Sequence, residues 1–251
     1  NPLRVAEDAA VVDLLSGGRL ELGIGSGTDP QEFLPFDIDV STRHQRTTEG
    51  LKLMKRALRG DSLGEAGLQL HPPAPTLLER IWLSGLSPMG ATYAAGNDAG
   101  LLLSRAAWGH DEPTDEVQLP VAETYLEAWQ HEATAPRLGL SRGIYVAADK
   151  PTALSQMRAD LTCAIEAMVR QGRMAPGLSF ETYCERFHIA YGQPEEVAAQ
   201  LQADRVLPHA SELILQLDPV FPSLDDTIRM FEQIATQVAP ALGWEPHPAA
   251  S

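Results

Sequence analysis

Cysteine is nearly absent: two thiols, Cys163 and Cys184, in 251 residues. So few exclude a disulfide framework or a cysteine-rich metal centre and fit a reducing cytoplasm, where both thiols are expected to be buried or half-buried. Basic residues are also scarce. Nineteen Lys and Arg face 34 Asp and Glu, a formal net charge of -15. A broad nucleic-acid surface is therefore excluded, because phosphate would be repelled, although one phosphate held locally by loop amides and an arginine is not. No uncharged run is long enough for a membrane helix. The first residues, Asn1-Pro2-Leu3-Arg4, lack the basic-then-apolar pattern of a signal peptide. The seven histidines show no metal-ligand spacing, and no Ser-His-Asp order or paired-carboxylate motif stands out.

What is present is a soluble-type balance of apolar and charged residues, in a chain long enough for one large α/β domain. Helical periodicity runs from Pro2 to Leu15 and stops at Ser16-Gly17-Gly18. Short apolar strands are expected at 19–24, 81–84, 100–104, 138–147 and 212–217. Helices are expected at 42–58, 87–95, 117–133, 152–171, 179–187, 194–203 and 224–242, and 29–40 reads as loop. Strands alternating with helices are the signature of a parallel sheet with outer helices. No linker divides the chain, so a single domain over 1–251 is expected, with a frayed Pro/Ala-rich tail at 245–251.

The stretch "LSGGRLELGIGSG" (Leu15 to Gly27) carries the strongest local signal. As a dinucleotide fingerprint its glycines are wrongly spaced, and Pro30 and Pro35 follow where a helix should open. Read as a methyltransferase loop, with Glu21 in the acidic place, it lacks the second strand that holds the ribose. A third reading is simple close packing of a strand end.

The flanking segments decide the matter. "NPLRVAEDAAVVDLLSGGRLELGIGSG", "STRHQRTTEGLKLMKRAL", "IWLSGLSPMGATYAAGNDAGLLLS" and "YGQPEEVAAQL" occur in this order. Together they resemble the luciferase-like flavin-dependent monooxygenase family, over nearly the whole chain. The resemblance implies an α/β (β/α)8 TIM barrel with flavin at the C-terminal ends of the strands. It implies reduced FMN as co-substrate supplied by a separate flavin reductase, a small organic substrate receiving one oxygen atom from O2, a homodimer paired through outer helices, and a cytoplasmic enzyme. Relatives using the deazaflavin coenzyme F420 share these segments, as do flavin-binding members without turnover, so both stand as alternatives.

By position, the resemblance makes Gly25, Ser26, Gly27, Arg43, Ser87, Pro88, Met89, Gly90 and Ser104 the cofactor-binding candidates. Ser26 stands where the family often carries an arginine. Glu7, Asp13 and Glu49 are expected to be structural, with Glu49 paired to Arg19; Trp82 and Trp108 are expected in the core or at its rim. No catalytic acid or base is assigned. His110, in a loop after a strand, is the best-placed candidate, ahead of His44 beside Arg43; His188 reads as a core or rim histidine. Asn1-Pro2 corresponds to the end of the family's third strand, so the first three strands are expected to be missing from this sequence. Substrate choice is expected to lie in the loops 61–80, 109–119 and 174–187.

Overall fold

A computed structural model describes residues 1–27, 29–217 and 223–245. The chain forms two compact units, Asn1–Leu102 with Tyr125–Arg137, and Leu103–Thr124 with Leu138–Ser251.

The first unit opens with α1 (Pro2–Leu15). The side chain of Asn1 caps it by accepting from the Leu3 amide, and Pro2 occupies the first turn, where a missing N–H costs nothing. Near the end of α1, the buried Asp13 carboxylate accepts from Arg80 Nη1 at 2.6 Å and from the Leu20 amide. The ion pair thus ties the helix end to Arg80, and the Leu20 bond ties it to the chain entering β1 (Leu22–Ile24). The stretch 29–40 is not plain loop: single 3-10 turns at Pro30–Glu32, Leu34–Phe36 and Val40–Thr42 follow one another. Asp29 and Asp39 cap the first and third with their carboxylates. Helix α2 (Arg43–Arg59) buries Leu51, Met54, Ala57 and Leu58 and ends at Gly60 in the left-handed conformation.

Next come β2 (Ile81–Ser84), α3 (Pro88–Gly96) and β3 (Gly100–Leu103). The three strands pair in parallel, with Leu22 opposite Ile81 and Trp82 opposite Gly100. Gly100 is required there, since a Cβ would lie 2.3 Å from the Trp82 ring. That ring is fixed by its own partners: Nε1 donates to Glu21 at 2.6 Å, and the Arg137 guanidinium lies 4.4 Å from the ring centroid. Glu21, the acidic residue of the methyltransferase reading, is thereby accounted for structurally. The last turn of α4 (Thr114–Ala128) closes this unit, with the Tyr125 hydroxyl donating to Ala99 O.

In the second unit, α4 begins three residues before its expected start, because Asp115 and Glu116 in its first turn suit the positive helix end. Then follow β4 (Leu138–Val146), α5 (Lys150–Arg170), α6 (Phe180–Arg186), β5 (Ile189–Gly192), α7 (Pro194–Gln202), β6 (Glu212–Leu217) and α8 (Leu224–Gln233). Strand β4 is buried throughout. Residues 139–144 pair in parallel with β6 and residues 143–146 with β5. With β5, formed from the strand-like residues after His188, the described strands number six, one more than the five expected. The core packs Ile144, Met157, Phe187, Val197 and Leu201 between this sheet and its helices.

The expected thiol burial is corrected for one residue: Cys184 is buried, but Cys163 is exposed on α5. Burial pushes the Cys184 thiol up to about 12. The expected Glu49–Arg19 pair is not formed. Glu49 accepts from the Gln45 amide and Arg19 Nε donates to Ser16 O. Most of the expected tail, 246–251, lies outside the described residues. Among the described residues no helix is long and apolar enough to cross a membrane, and no group of three or more His, Cys, Asp or Glu is placed to hold a metal.

Candidate functional site

Two places carry the expected residues, one in each unit. In the first unit, the C-terminal tips of β1 and β2 lie side by side because the strands are parallel and in register. The tips are nearly free of side chains. A Cβ on Gly25 would lie 3.1 Å from Ser84 Oγ, and one on Gly90 would lie 3.4 Å from Gly85 Cα. Gly27 adopts φ +72, and a Cβ there would press on the Phe33 ring at 2.9 Å. Ser26 is half-buried between them.

Ser87 caps α3, its hydroxyl accepting from the Gly90 amide at 3.2 Å, and Pro88 fills the first turn. The helix therefore presents the Met89 amide and its positive end just beyond β2. Leu86 and Met89 flank this end and are exposed, as are Leu34 and Phe36 on the second 3-10 turn. Arg43 opens α2 with Nη1 donating to Val40 O, while its Nε is buried without a partner. Among the described residues no hydrogen bond or ion pair joins Arg43 to the β1 or β2 tips. His44 beside it is exposed.

The second unit holds Ser104 and His110. The Ser104 hydroxyl donates to Ala106 O at 3.0 Å, and its carbonyl accepts from Gln118 Nε2 at 2.6 Å. His110 is exposed, with Nδ1 3.9 Å from the Glu112 carboxylate. It lines a cavity of about 700 Å³ with Trp108, Met174, Leu178 and His188. This cavity draws on two of the three loops expected to set substrate choice, 109–119 and 174–187.

Behind His188 lies a buried charge network that the sequence did not reveal. The Asp204 carboxylate, 2% exposed, accepts from Arg142 Nε at 2.5 Å, from His188 Nε2 at 3.0 Å and from the Val206 amide at 2.8 Å. Arg142 is fully buried on β4. Burial pushes the Asp204 carboxyl up, but the hydrogen bonds from His188 and Arg142 and the Arg142 charge outweigh it. They hold the group well below the usual carboxylate range. Positions 142, 188 and 204 share no spacing that marks a motif. The one local signal is His188 itself, placed just before a short strand.

Comparison with known proteins adds a family to this geometry. The sequence model of the family described as "Luciferase-like monooxygenase" matches residues 1–213. A 4-hydroxyprotoasukamycin monooxygenase of Streptomyces nodosus subsp. asukaensis is 35% identical over 104 residues, 38% of this chain and 28% of the relative. An uncharacterised protein of Sinorhizobium fredii is 35% identical over 114 residues, covering 40% of this chain and 32% of its own length. The matched stretch therefore spans under a third of each of these two relatives.

Among solved structures, the oxygenating constituent of the Pseudomonas putida 3,6-diketocamphane monooxygenase, in complex with FMN, aligns with a TM-score of 0.72 at 17% identity. The alignment covers 96% of this chain and 76% of that one. The coenzyme F420 dependent tetrahydromethanopterin reductase of Methanopyrus kandleri aligns with a TM-score of 0.66 at 13% identity, covering 96% and 80%. These likenesses establish the α/β fold with parallel strands of the luciferase-like TIM-barrel type.

Proposed function

The chain belongs to the luciferase-like monooxygenase family, and from that premise we propose that it is an FMN-dependent monooxygenase acting on a small organic substrate. The observation that carries this reading is the glycine-lined edge at Gly25 and Gly90, nearly free of side chains, beside the Ser87-capped start of α3. Such an edge admits the backbone of a ribityl phosphate, and the Met89 amide with the positive end of α3 suits its charge.

The residues fit the cofactor. The Ser87 hydroxyl and the Met89 amide would hold the phosphate, and Arg43, with its buried Nε lacking a partner, would add a cation. Gly25, Ser26 and Gly27 would let the flavin approach the β1 tip, and the exposed Leu86 and Met89 would cover its apolar ring. Ser104 and His110 belong to the second unit, and the cofactor role of the one and the substrate-side role of the other are proposed on the family resemblance. When bound and reduced, FMN supplies the electrons that activate dioxygen. The chain's own part is to bind the flavin, orient the substrate and keep water out.

A deazaflavin is the second reading, favoured by the fold shared with the F420-dependent reductase. The finer readings are that reduced flavin comes from a separate reductase in the cytoplasm and that residues 1–251 act as a single domain. The chain is also read as a homodimer paired through outer helices, supported by the exposed Val12 and Leu15 on α1. The testing experiment is titration of the protein with FMN and with coenzyme F420, followed by absorbance and flavin fluorescence. Saturable binding of FMN, weakened by a bulky residue at Gly25, is the expected result. No binding of either cofactor would refute the reading.

A further inference from the structure

The second unit's cavity has a size suited to a small organic ligand. Its aromatic side is fixed in place, because Trp108 stands edge-on to the buried Phe187 with ring centroids 5.1 Å apart. Most polar groups around it are already engaged. Gln200 donates to the carbonyls of Tyr191 and Glu196 and accepts from the Tyr191 amide. Thr114 accepts from the Ala107 amide. Arg186 holds the carbonyls of His110 and Asp111 and pairs with the Asp111 carboxylate.

His188 differs from all of these. Its Nε2 faces the Asp204 carboxylate, and an ionised carboxylate only accepts, so in the neutral ring Nε2 carries the proton and Nδ1 the lone pair. Among the described residues Nδ1 has no partner, and the side chain remains 24% exposed while lining the cavity. The backbone of His188 sits at φ +52, a conformation that non-glycine residues hold only where their surroundings impose it. Asp204 and Arg142 are thus positioning residues that fix one tautomer and one orientation of the ring.

The geometry points to this cavity as the binding site of an aromatic hydroxyl compound, its ring against Trp108 and its hydroxyl donating to His188 Nδ1. This inference deepens the proposed function by naming the substrate class, and it rests on that reading only in calling the ligand a substrate. The remaining lining agrees with a largely neutral ligand: Met174, Leu178 and Ile189 are apolar, and Arg173 and Arg186 are offset by Asp111, Glu112 and Glu185.

The test titrates the full chain, without flavin, with para-bromophenol and with its methyl ether para-bromoanisole, following quenching of tryptophan fluorescence. The phenol is expected to bind about tenfold more tightly than the ether, the effect of one good hydrogen bond to a preset acceptor. His188→Ala is expected to bring the phenol to the ether's affinity and leave the ether unchanged, and Trp108→Phe to remove most of the quenching. In the unsubstituted protein the His188 ring nitrogen resonances should move with the phenol and stay with the ether, which keeps the test intact if His188→Ala does not fold. Equal affinities, equal losses for both probes in His188→Ala, or quenching untouched by Trp108→Phe would overturn the inference. FMN binding without discrimination between the probes refutes the cavity assignment alone, whereas discrimination without FMN or F420 binding refutes the proposed cofactor use alone.

Discussion

At the scale of single residues, the glycines of the strand region divide into two kinds with opposite consequences. Gly100 faces a ring that cannot give way, because Trp82 is pinned by Glu21 and Arg137. Gly100→Ala should cost about 2–3 kcal/mol, read as a lowered denaturant midpoint. Gly25 faces only the hydroxyl of exposed Ser84. Gly25→Ala should change stability by under about 0.5 kcal/mol yet weaken FMN binding about tenfold, a split that titration and unfolding together would show.

Asp204 makes a pH-dependent contribution. Its pKa is lowered in the folded state, so its stabilisation is fully present above the unfolded value of about 4 and is lost as pH falls through the folded value. Asp204→Asn leaves Arg142 buried without its counter-charge and should cost about 3 kcal/mol or more at neutral pH. The stability difference between the two proteins should narrow as acid unfolding is followed below pH about 4. Residue identity alone made Asp13 legible as structural, since it sits on the helical stripe of α1. It could not reveal the contacts of Asp204, whose partners lie 16 and 62 positions away and meet only when β4, β5 and α7 are assembled.

At the scale of elements, α3 separates folding from binding. Ser87 both caps the helix and stands where a phosphate is proposed. Ser87→Ala should lower stability by about 1 kcal/mol and weaken FMN. Ser87→Asp keeps a good cap but sets a negative charge against the phosphate, so thermal stability should hold while FMN affinity drops at least about tenfold. If FMN affinity is unchanged in Ser87→Asp, the phosphate lies elsewhere. Elements were also where sequence reading did best. Strands 81–84 and 212–217 and the starts of α3 and α7 were legible because apolar runs, proline and caps coincide there. Strand β5 was only weakly legible, since the strand-like Ile189–Gly192 is too short for a pattern of its own and owes its pairing to β4. The prolines at 30 and 35 read as loop. The two aspartate caps that turn that loop into consecutive 3-10 turns are visible only in their hydrogen bonds.

At the scale of the whole molecule, charge dominates. A net charge of -15 repels an anionic cofactor as well as nucleic acid. The association rate of FMN should therefore rise, about twofold or more, as salt is raised from low to physiological ionic strength, and stopped-flow fluorescence would register it. The fold class was legible at this scale from strand–helix alternation and the four ordered segments, and the family match over residues 1–213 agrees. The cavity of the second unit was legible only in part. Its loops 109–119 and 174–187 were expected to set substrate choice, but a concave shape arises from packing α6 and β5 and leaves no trace in composition.

Strand β4 offers a last consequence. Every one of its residues is buried, and at Gly143 and Ile144 it is registered with both β5 and β6 at once. Successive residues of a strand turn their N–H groups to opposite edges, so of these two amides one is held from each side. In deuterated solvent their amide protons should be among the slowest in the second unit to be replaced, and their lifetimes would report that unit's global opening.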